Sequence, residues 1–250
     1  MDLLTDASRS GHRERQTDRT GGTLSTTVQR GALGAGPATL TLENAALRVT
    51  VLPDVGGRIH ELVDKATGRD LLWHNPRTVP RPAPYGAHFD DWWSGGWDEI
   101  FPSGDRGTLN GELLPYMGEL WCVPWNAAMT TDEDTASITA SGFGTVAPAR
   151  FERTISLSGD EPVLRARYRI ENLGLRPLPF AWGIHPTFAV TPDHRIDHPG
   201  ATMLIGVSSD RSMGVEGETY RWPHLPDTTV PGTARDMRRV RPREDAVVAS

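Results

Sequence analysis

Cysteine and lysine are nearly missing from this sequence. Cys122 is the single cysteine, which excludes an internal disulfide framework and a multi-cysteine zinc site. Lys65 is the single lysine, so arginine carries almost all of the positive charge, a bias that we attribute to genomic base composition. No apolar stretch is long enough to span a membrane or to form a signal peptide. We therefore expect a cytoplasmic protein that contacts no membrane.

Several ligand classes also lack their usual sequence signals. The net charge is −6 and charges of both signs are interspersed, so no nucleic-acid surface is expected. Neither a glycine-rich phosphate loop nor a serine-hydrolase elbow is present. His194 and His198 have a spacing that suits a metal ion on a helix, but Pro192 and Pro199 oppose a helix there. We expect neither a metal ion nor a cofactor.

Apolar and polar residues alternate through much of the sequence, which predicts β-strands. Residues 1–37 are polar and are predicted to be a disordered extension, and residues 38–250 are predicted to form a single domain. Prolines and glycines indicate a long loop over 75–118, and no strand pattern follows residue 208. The sequence thus predicts an all-β antiparallel sandwich. Its expected strands are 39–43, 46–52, 58–63, 70–73, 136–141, 149–157, 163–172 and 178–184.

One histidine lies at the end of a predicted strand, beside aromatic residues. His185 belongs to the segment WGIHPTF, residues 182–188. Imidazole can give and take a proton near neutral pH, so a histidine at such a position is a natural general acid or base. The alternative is a structural histidine that packs against Pro186 and Phe188.

Three carboxylates and their tryptophan neighbours are further candidates. Asp98 and Glu99 are adjacent on an extended chain, so they point to opposite faces and cannot form a facing catalytic pair. One of them could bind sugar hydroxyls while the other is structural. Asp98 could instead cap the turn that precedes it. Glu119 could reach a pocket walled by Trp121 or Trp125, or it could occupy a solvated strand position.

Four segments in order resemble the aldose 1-epimerase (galactose mutarotase-like) superfamily, in its broad bacterial epimerase-like branch. They are LRVTVLPDVGGRI (47–59), GGWDEIFP (95–102), GELW (118–121) and WGIHPTF (182–188). The resemblance implies a large antiparallel β-supersandwich, which agrees with the alternation of apolar and polar residues.

The resemblance also implies an activity, the interconversion of sugar anomers. A base takes the proton from the anomeric hydroxyl while an acid protonates the ring oxygen; the ring opens, the aldehyde rotates, and closure gives the other anomer. His185 matches the family's acid. The implied ligand is a monosaccharide or sugar derivative, and the expected contacts are Arg58, Trp97, Asp98, Glu99, Glu119 and Trp121.

Two departures from the family pattern limit this expectation. Met117 stands where many members carry a second histidine, and a thioether cannot donate a hydrogen bond. The base glutamate lies on later strands that this sequence does not match, and Glu216 and Glu218 lie outside the motif. We therefore expect a sandwich without its last strands, whose exposed edges a homo-oligomer could cover. The alternative function is a non-catalytic carbohydrate-binding or regulatory module, or an inactive fragment, that has lost the base.

Overall fold

The computed structural model describes residues 26–132, 134–206 and 214–240. Its regular structure is almost entirely antiparallel β-sheet, which confirms the predicted all-β class. The helical segments within these ranges are the short helix α1 (Phe89–Trp92) and a 3₁₀ turn at Leu120–Cys122, and no helix there could cross a membrane. The chain divides into two compact units, Met1–Ala189 and Val190–Ser250, where the sequence predicted a single domain from residue 38 onward.

The first unit is a sandwich of two main sheets. Its strands are β1 (Thr27–Ala32), β2 (Ala38–Glu43), β3 (Leu47–Leu52), β4 (Arg58–Asp64), β5 (Arg69–Asp70), β6 (Trp97–Ile100), β7 (Gly107–Leu109), β8 (Glu112–Leu114), β9 (Asn126–Asp132), β10 (Thr135–Phe143), β11 (Ala149–Ser158), β12 (Arg165–Asn172) and β13 (Gly183–Pro186). One sheet has the order β1-β2-β3-β4-β6-β13, with β5 paired to β4, and the other has the order β12-β11-β10-β9. A separate hairpin joins β7 and β8.

The core between the two sheets follows the predicted alternation. Strands β10 and β11 bury every second residue along most of their length. Val49 and Ile59 of the first sheet belong to the same buried cluster as Ile138 and Ile155 of the second. Full burial of such a side chain contributes about 1.5–3 kcal/mol, so this layer holds the sheets together.

The predicted hairpin near residues 149–172 is present as β11 and β12. Tyr168 and Ile170 pack against a second buried cluster, which includes Phe101 and Phe151, as expected from their shared face. Arg165, Arg167 and Arg169 are exposed on the other face. The arginine face is therefore a solvated sheet surface.

Strand β1 lies in the segment that the sequence assigned to a disordered extension. It pairs with β2 along its whole length, from Thr27 opposite Glu43 to Ala32 opposite Ala38. Its side chains are mostly exposed, so the apolar alternation that reveals other strands is missing. Backbone pairing defines this strand, and the folded chain begins earlier than residue 38.

The segment predicted as a long loop, 75–118, contains helix α1, strand β6 and the β7–β8 hairpin. Asn110 and Gly111 both have positive φ angles, 54° and 89°, as a two-residue type I′ hairpin turn requires. Such an Asn-Gly pair is a hairpin signal that the sequence does carry. Strand β6 is only four residues long and contains two carboxylates, so it lacks an apolar pattern.

The second unit contains a small four-stranded antiparallel sheet among its described residues. Three of its strands lie beyond residue 208, where the sequence predicted none, because three-residue strands are too short to show an alternating pattern. The strands are β14 (Thr202–Leu204), β15 (Thr219–Arg221), β16 (His224–Pro226) and β17 (Ala234–Asp236).

Candidate functional site

Strand pairing at one edge of the first sheet aligns three of the predicted site residues. His185 of β13 lies directly opposite Asp98 of β6. Residues opposite each other on antiparallel strands project from the same face. Ile59 of β4 pairs with Trp97, which places Arg58 next to Asp98 on the other side. Arg58, Asp98 and His185 therefore form a row across three neighbouring strands.

A buried ion pair fixes the middle of this row. Arg58 Nε donates a hydrogen bond to Asp98 Oδ1 at 2.7 Å, and both side chains are 1% exposed. Arg58 Nη1 also donates to the Ser94 hydroxyl. Asp98 Oδ2 is buried and has no hydrogen-bond partner. An unpaired buried acceptor costs about 1–3 kcal/mol, so a ligand hydroxyl that donated to it would gain free energy.

Aromatic rings surround the imidazole of His185. Its ring centroid lies 6.2 Å from that of Phe89 in α1 and 5.9 Å from that of Trp93, which follows the helix. His185 Nδ1 is buried without a hydrogen-bond partner. The row thus presents an unpaired imidazole nitrogen and an unpaired carboxylate oxygen beside apolar ring surfaces.

Glu99 points the opposite way, into the sandwich. Arg153 Nη1 donates to Glu99 Oε1 at 3.0 Å, and Trp182 Nε1 donates to Oε2 at 3.2 Å. Arg153 also donates to the Gly57 carbonyl. Burial raises the pKa of Glu99, and the charge and hydrogen bond of Arg153, together with the hydrogen bond from Trp182, oppose that shift. Glu99 joins the two sheets, and this position does not support the expected substrate contact.

Trp97 lies on the same face of β6 as Glu99. Its side chain packs against the apolar cluster between the sheets. The indole Nε1 is buried and lacks a partner. Trp97 therefore belongs to the core, away from the face that carries His185.

Glu119 is completely buried and its carboxylate is fully occupied. Oε1 accepts hydrogen bonds from the Tyr85 hydroxyl and the Val146 N–H, both at 2.7 Å, and from the Thr145 N–H at 3.1 Å. Oε2 accepts from the Ala147 N–H at 3.0 Å. Its observed role is to tether two loops, and a solvated strand position is contradicted by its burial.

Trp121 is also a packing residue. It is 2% exposed and lies edge-on to Phe89, with ring centroids 5.1 Å apart. Its Nε1 donates to the Tyr116 carbonyl at 3.3 Å. Since Phe89 touches His185, Trp121 supports the wall of the site from behind.

A histidine pair near the row was not singled out from the sequence. His60 lies where the register of β4 against β3 shifts, and its ring centroid is 4.5 Å from that of His74. His74 Nε2 is 2.7 Å from Asp70 Oδ2, and this hydrogen bond raises the pKa of His74. Burial, with smaller effects of His74 and Arg58, lowers the pKa of His60 to about 4. Because His74 is distant from His60 in sequence, no local pattern reveals the pair.

The described residues contain no group of three or more histidine, cysteine, aspartate or glutamate side chains that could hold a metal ion.

Comparison with known families assigns the chain to a family. The model of a domain of unknown function, DUF5107, matches residues 37–229. This chain belongs to the DUF5107 family. The match includes the row from Arg58 to His185, so the candidate site lies within the DUF5107 domain.

Solved structures share the architecture of this DUF5107 protein at low sequence identity. The Slr1438 protein from Synechocystis is 23% identical with a TM-score of 0.55, and the match covers 78% of this chain and 67% of that one. A TPR-domain containing protein from Parabacteroides distasonis is 18% identical with a TM-score of 0.50, over 66% of this chain and 26% of that one. A galactose mutarotase-like protein from Clostridium acetobutylicum is 17% identical with a TM-score of 0.47, over 66% of this chain and 54% of that one. The chain thus spans about a quarter of the Parabacteroides protein, and the likeness to Slr1438 shows a shared fold.

Proposed function

We propose that this chain is a carbohydrate-binding isomerase of the aldose 1-epimerase type, with His185 as the general acid. The observation that carries the proposal is the pairing of His185 with Asp98, each with an unpaired buried polar atom on one face of the sheet. The class of ligand comes from the resemblance of the four sequence segments to the mutarotase-like superfamily.

The chemistry of the row suits a sugar. Vicinal hydroxyls donate hydrogen bonds to a carboxylate, and Asp98 Oδ2 is a free acceptor held in place by Arg58. Trp93, which is half-buried and packs against Phe89, supplies aromatic surface beside His185, and such surface packs well against the apolar face of a pyranose. Burial of Asp98 and Arg58 means that both are oriented before the ligand arrives, which lowers the entropic cost of binding.

In the proposed reaction His185 gives a proton to the ring oxygen, and the anomeric hydroxyl gives its own proton to a solvent water molecule. The bond between the anomeric carbon and the ring oxygen breaks, and an open-chain aldehyde forms. Rotation about the bond to C2 exposes the other face of the aldehyde. Ring closure then returns the proton from the ring oxygen to His185, and the anomeric oxygen is protonated again.

A non-catalytic carbohydrate-binding module is the second candidate. One observation favours it. Asp98 lies next to His185 on the same face of the sheet, and one of its two carboxylate oxygens already accepts a hydrogen bond from Arg58. An acid and a base for anomer exchange act at two different oxygens of the sugar. Loss of one of the two partners forfeits much of a rate enhancement of about 10²–10⁴.

The test is anomer exchange of glucose and galactose, followed by NMR or polarimetry, together with calorimetric sugar binding. The proposal expects acceleration over buffer, a loss of about 10²–10⁴-fold in His185→Gln, and retained sugar binding in that variant. His194→Gln, which changes an exposed histidine of the second unit, is the matched control and should keep full activity. Saturable binding of a sugar without anomer exchange would favour the binding module over the isomerase. Absence of binding to either sugar would overturn both candidates.

A further inference from the structure

A cavity lies near the His185 row, and Arg58, Asp98 and His185 are not part of its lining. It has a volume of about 630 Å³ and is lined by the loop around Tyr85 and by residues of the β7–β8 hairpin and its exit. Ligand sites commonly have volumes of about 300–1,000 Å³. The lining includes two tyrosines, Tyr85 and Tyr116, and the polar side chains of Arg106 and Thr108.

Both tyrosines combine exposure with a fixed position. Tyr85 is 41% exposed and Tyr116 is 40% exposed, so their rings can meet a ligand. The Tyr85 hydroxyl donates to the buried Glu119 carboxylate, which locks the ring in place. Tyr116 packs edge-on against Phe89 and is followed by Met117, a buried non-glycine residue with a φ of +65°. A strained backbone of this kind costs about 1–3 kcal/mol and often marks a functional site.

Phe89 connects this cavity with the His185 row. Its ring centroid lies 6.3 Å from that of Tyr116 and 6.2 Å from that of His185. Phe89, which is 3% exposed, therefore contacts both a wall residue of the cavity and the His185 row.

Arg106 adds a free cation to the cavity. Its side chain is exposed and forms no ion pair with any residue in the described ranges. Arginine and threonine side chains can donate hydrogen bonds to several hydroxyl oxygens, while tyrosine rings cover the apolar face of a sugar ring. Aromatic surface beside a few polar groups fits a carbohydrate better than it fits a purely apolar ligand.

We infer that the cavity between Tyr85 and Tyr116 binds a second sugar unit, and that the natural substrate is a reducing oligosaccharide whose reducing end lies at His185. This inference rests on the proposed function for the class of its ligand. It also gives Glu119 a role as a positioning residue, because its carboxylate holds the Tyr85 ring at the cavity wall.

The experiment compares calorimetric binding of glucose and galactose with that of maltose, cellobiose and lactose, on the full chain. We expect at least one disaccharide to bind about tenfold more tightly than its monosaccharide, which corresponds to about 1.4 kcal/mol. Tyr116→Ala and Arg106→Ala should remove that advantage and leave monosaccharide affinity unchanged. Arg167→Ala, which changes an exposed arginine on β12, is the control and should bind like wild type. The melting temperature of each variant checks folding, and Arg106→Ala remains informative if Tyr116→Ala fails to fold.

The possible results separate this inference from the proposed function. Anomer exchange on monosaccharides without any gain in affinity for disaccharides would overturn the second sugar site and leave the isomerase intact. A disaccharide advantage that both variants abolish would support the site, even if the wild-type chain showed no anomer exchange. Equal weakening of monosaccharide and disaccharide binding in both variants would also overturn it.

Discussion

Asp98 and Glu99 are neighbours in strand β6, yet their carboxylates bind two different buried arginines on opposite faces of the sheet. Asp98 binds Arg58 on the face shared with His185, and Glu99 binds Arg153 inside the sandwich. Asp98 keeps one oxygen without a partner, whereas both oxygens of Glu99 accept hydrogen bonds. The two carboxylates thus differ: Asp98 keeps an unpaired acceptor on the His185 face, whereas Glu99 links the two sheets.

Replacement of Glu99 by glutamine should destabilise the fold without direct damage to the His185 face. Arg153 would remain buried with its charge uncompensated, and loss of one partner of a buried pair costs about 3–5 kcal/mol. Urea unfolding would measure the change. Glu171→Gln, in a pair with Arg169 that is 3.7 Å long and largely exposed, is the control and should cost less than about 1 kcal/mol. Equal effects of the two variants would contradict the structural role of Glu99.

Glu119→Gln tests whether this residue supports the fold or touches the sugar at His185. A glutamine amide group would present N–H donors where backbone N–H groups now donate, so at least one hydrogen bond to a charged acceptor is lost, at about 1.5–3 kcal/mol. We expect a lower melting temperature and unchanged binding of glucose and galactose. If the variant bound glucose and galactose more weakly while its melting temperature stayed unchanged, Glu119 would be a sugar contact, as the sequence predicted.

The buried His60 should make stability fall at acidic pH. Its pKa is about 4 in the folded chain against a usual 6.5, so the unfolded chain takes up the proton first as the pH falls. The contribution is fully present above about pH 6.5 and is lost as the pH falls to about 4, with a total of roughly 3 kcal/mol. Urea unfolding from pH 7.5 to 4 measures the slope.

Variants separate His60 from the other acid-sensitive groups. His60→Gln should reduce this pH dependence, whereas His88→Gln, whose side chain is 54% exposed, should leave it unchanged. The pKa of His74 is raised, so its contribution has the opposite sign and is lost as the pH rises through that value. If the stability of His60→Gln falls as steeply with decreasing pH as that of the wild type, His60 is not the cause of the pH dependence.

Sheet edges that pair with no further strand among the described residues predict self-association in solution. Strands β12 and β13 end their sheets, and Leu175 and Phe180 between them are 106% and 52% exposed. Unpaired strand edges beside exposed apolar side chains favour pairing with another chain. We expect a dimer by light scattering, and a shift toward monomer in Leu175→Glu. Leu113→Glu, at an exposed site on the β7–β8 hairpin, should not change the mass. A wild-type monomer at every concentration would contradict this prediction.

Much of the sandwich follows from local pattern. Strands β2, β3, β4, β10, β11 and β12 were all predicted from their sequence pattern. The alternation is clearest in β10 and β11, which bury every second residue, whereas β3 and β4 are buried along most of their length. The opposite orientation of Asp98 and Glu99 was predicted as well, since it depends only on the extended backbone. Strands β1 and β6 were not predicted, because pairing with their neighbours holds them in place and neither carries a continuous apolar face.

The sequence by itself determined the all-β class and the alternating core, and it identified His185 as a candidate general acid. Only the tertiary structure decided which carboxylate shares a face with His185, that Glu119 and Trp121 are fully engaged in packing, and that His60 meets His74. The physical reason is that backbone geometry sets which way adjacent side chains point, whereas burial and hydrogen-bond partners depend on residues far away in sequence. Arg153 lies 54 residues from Glu99, and no local pattern could have shown that they would meet.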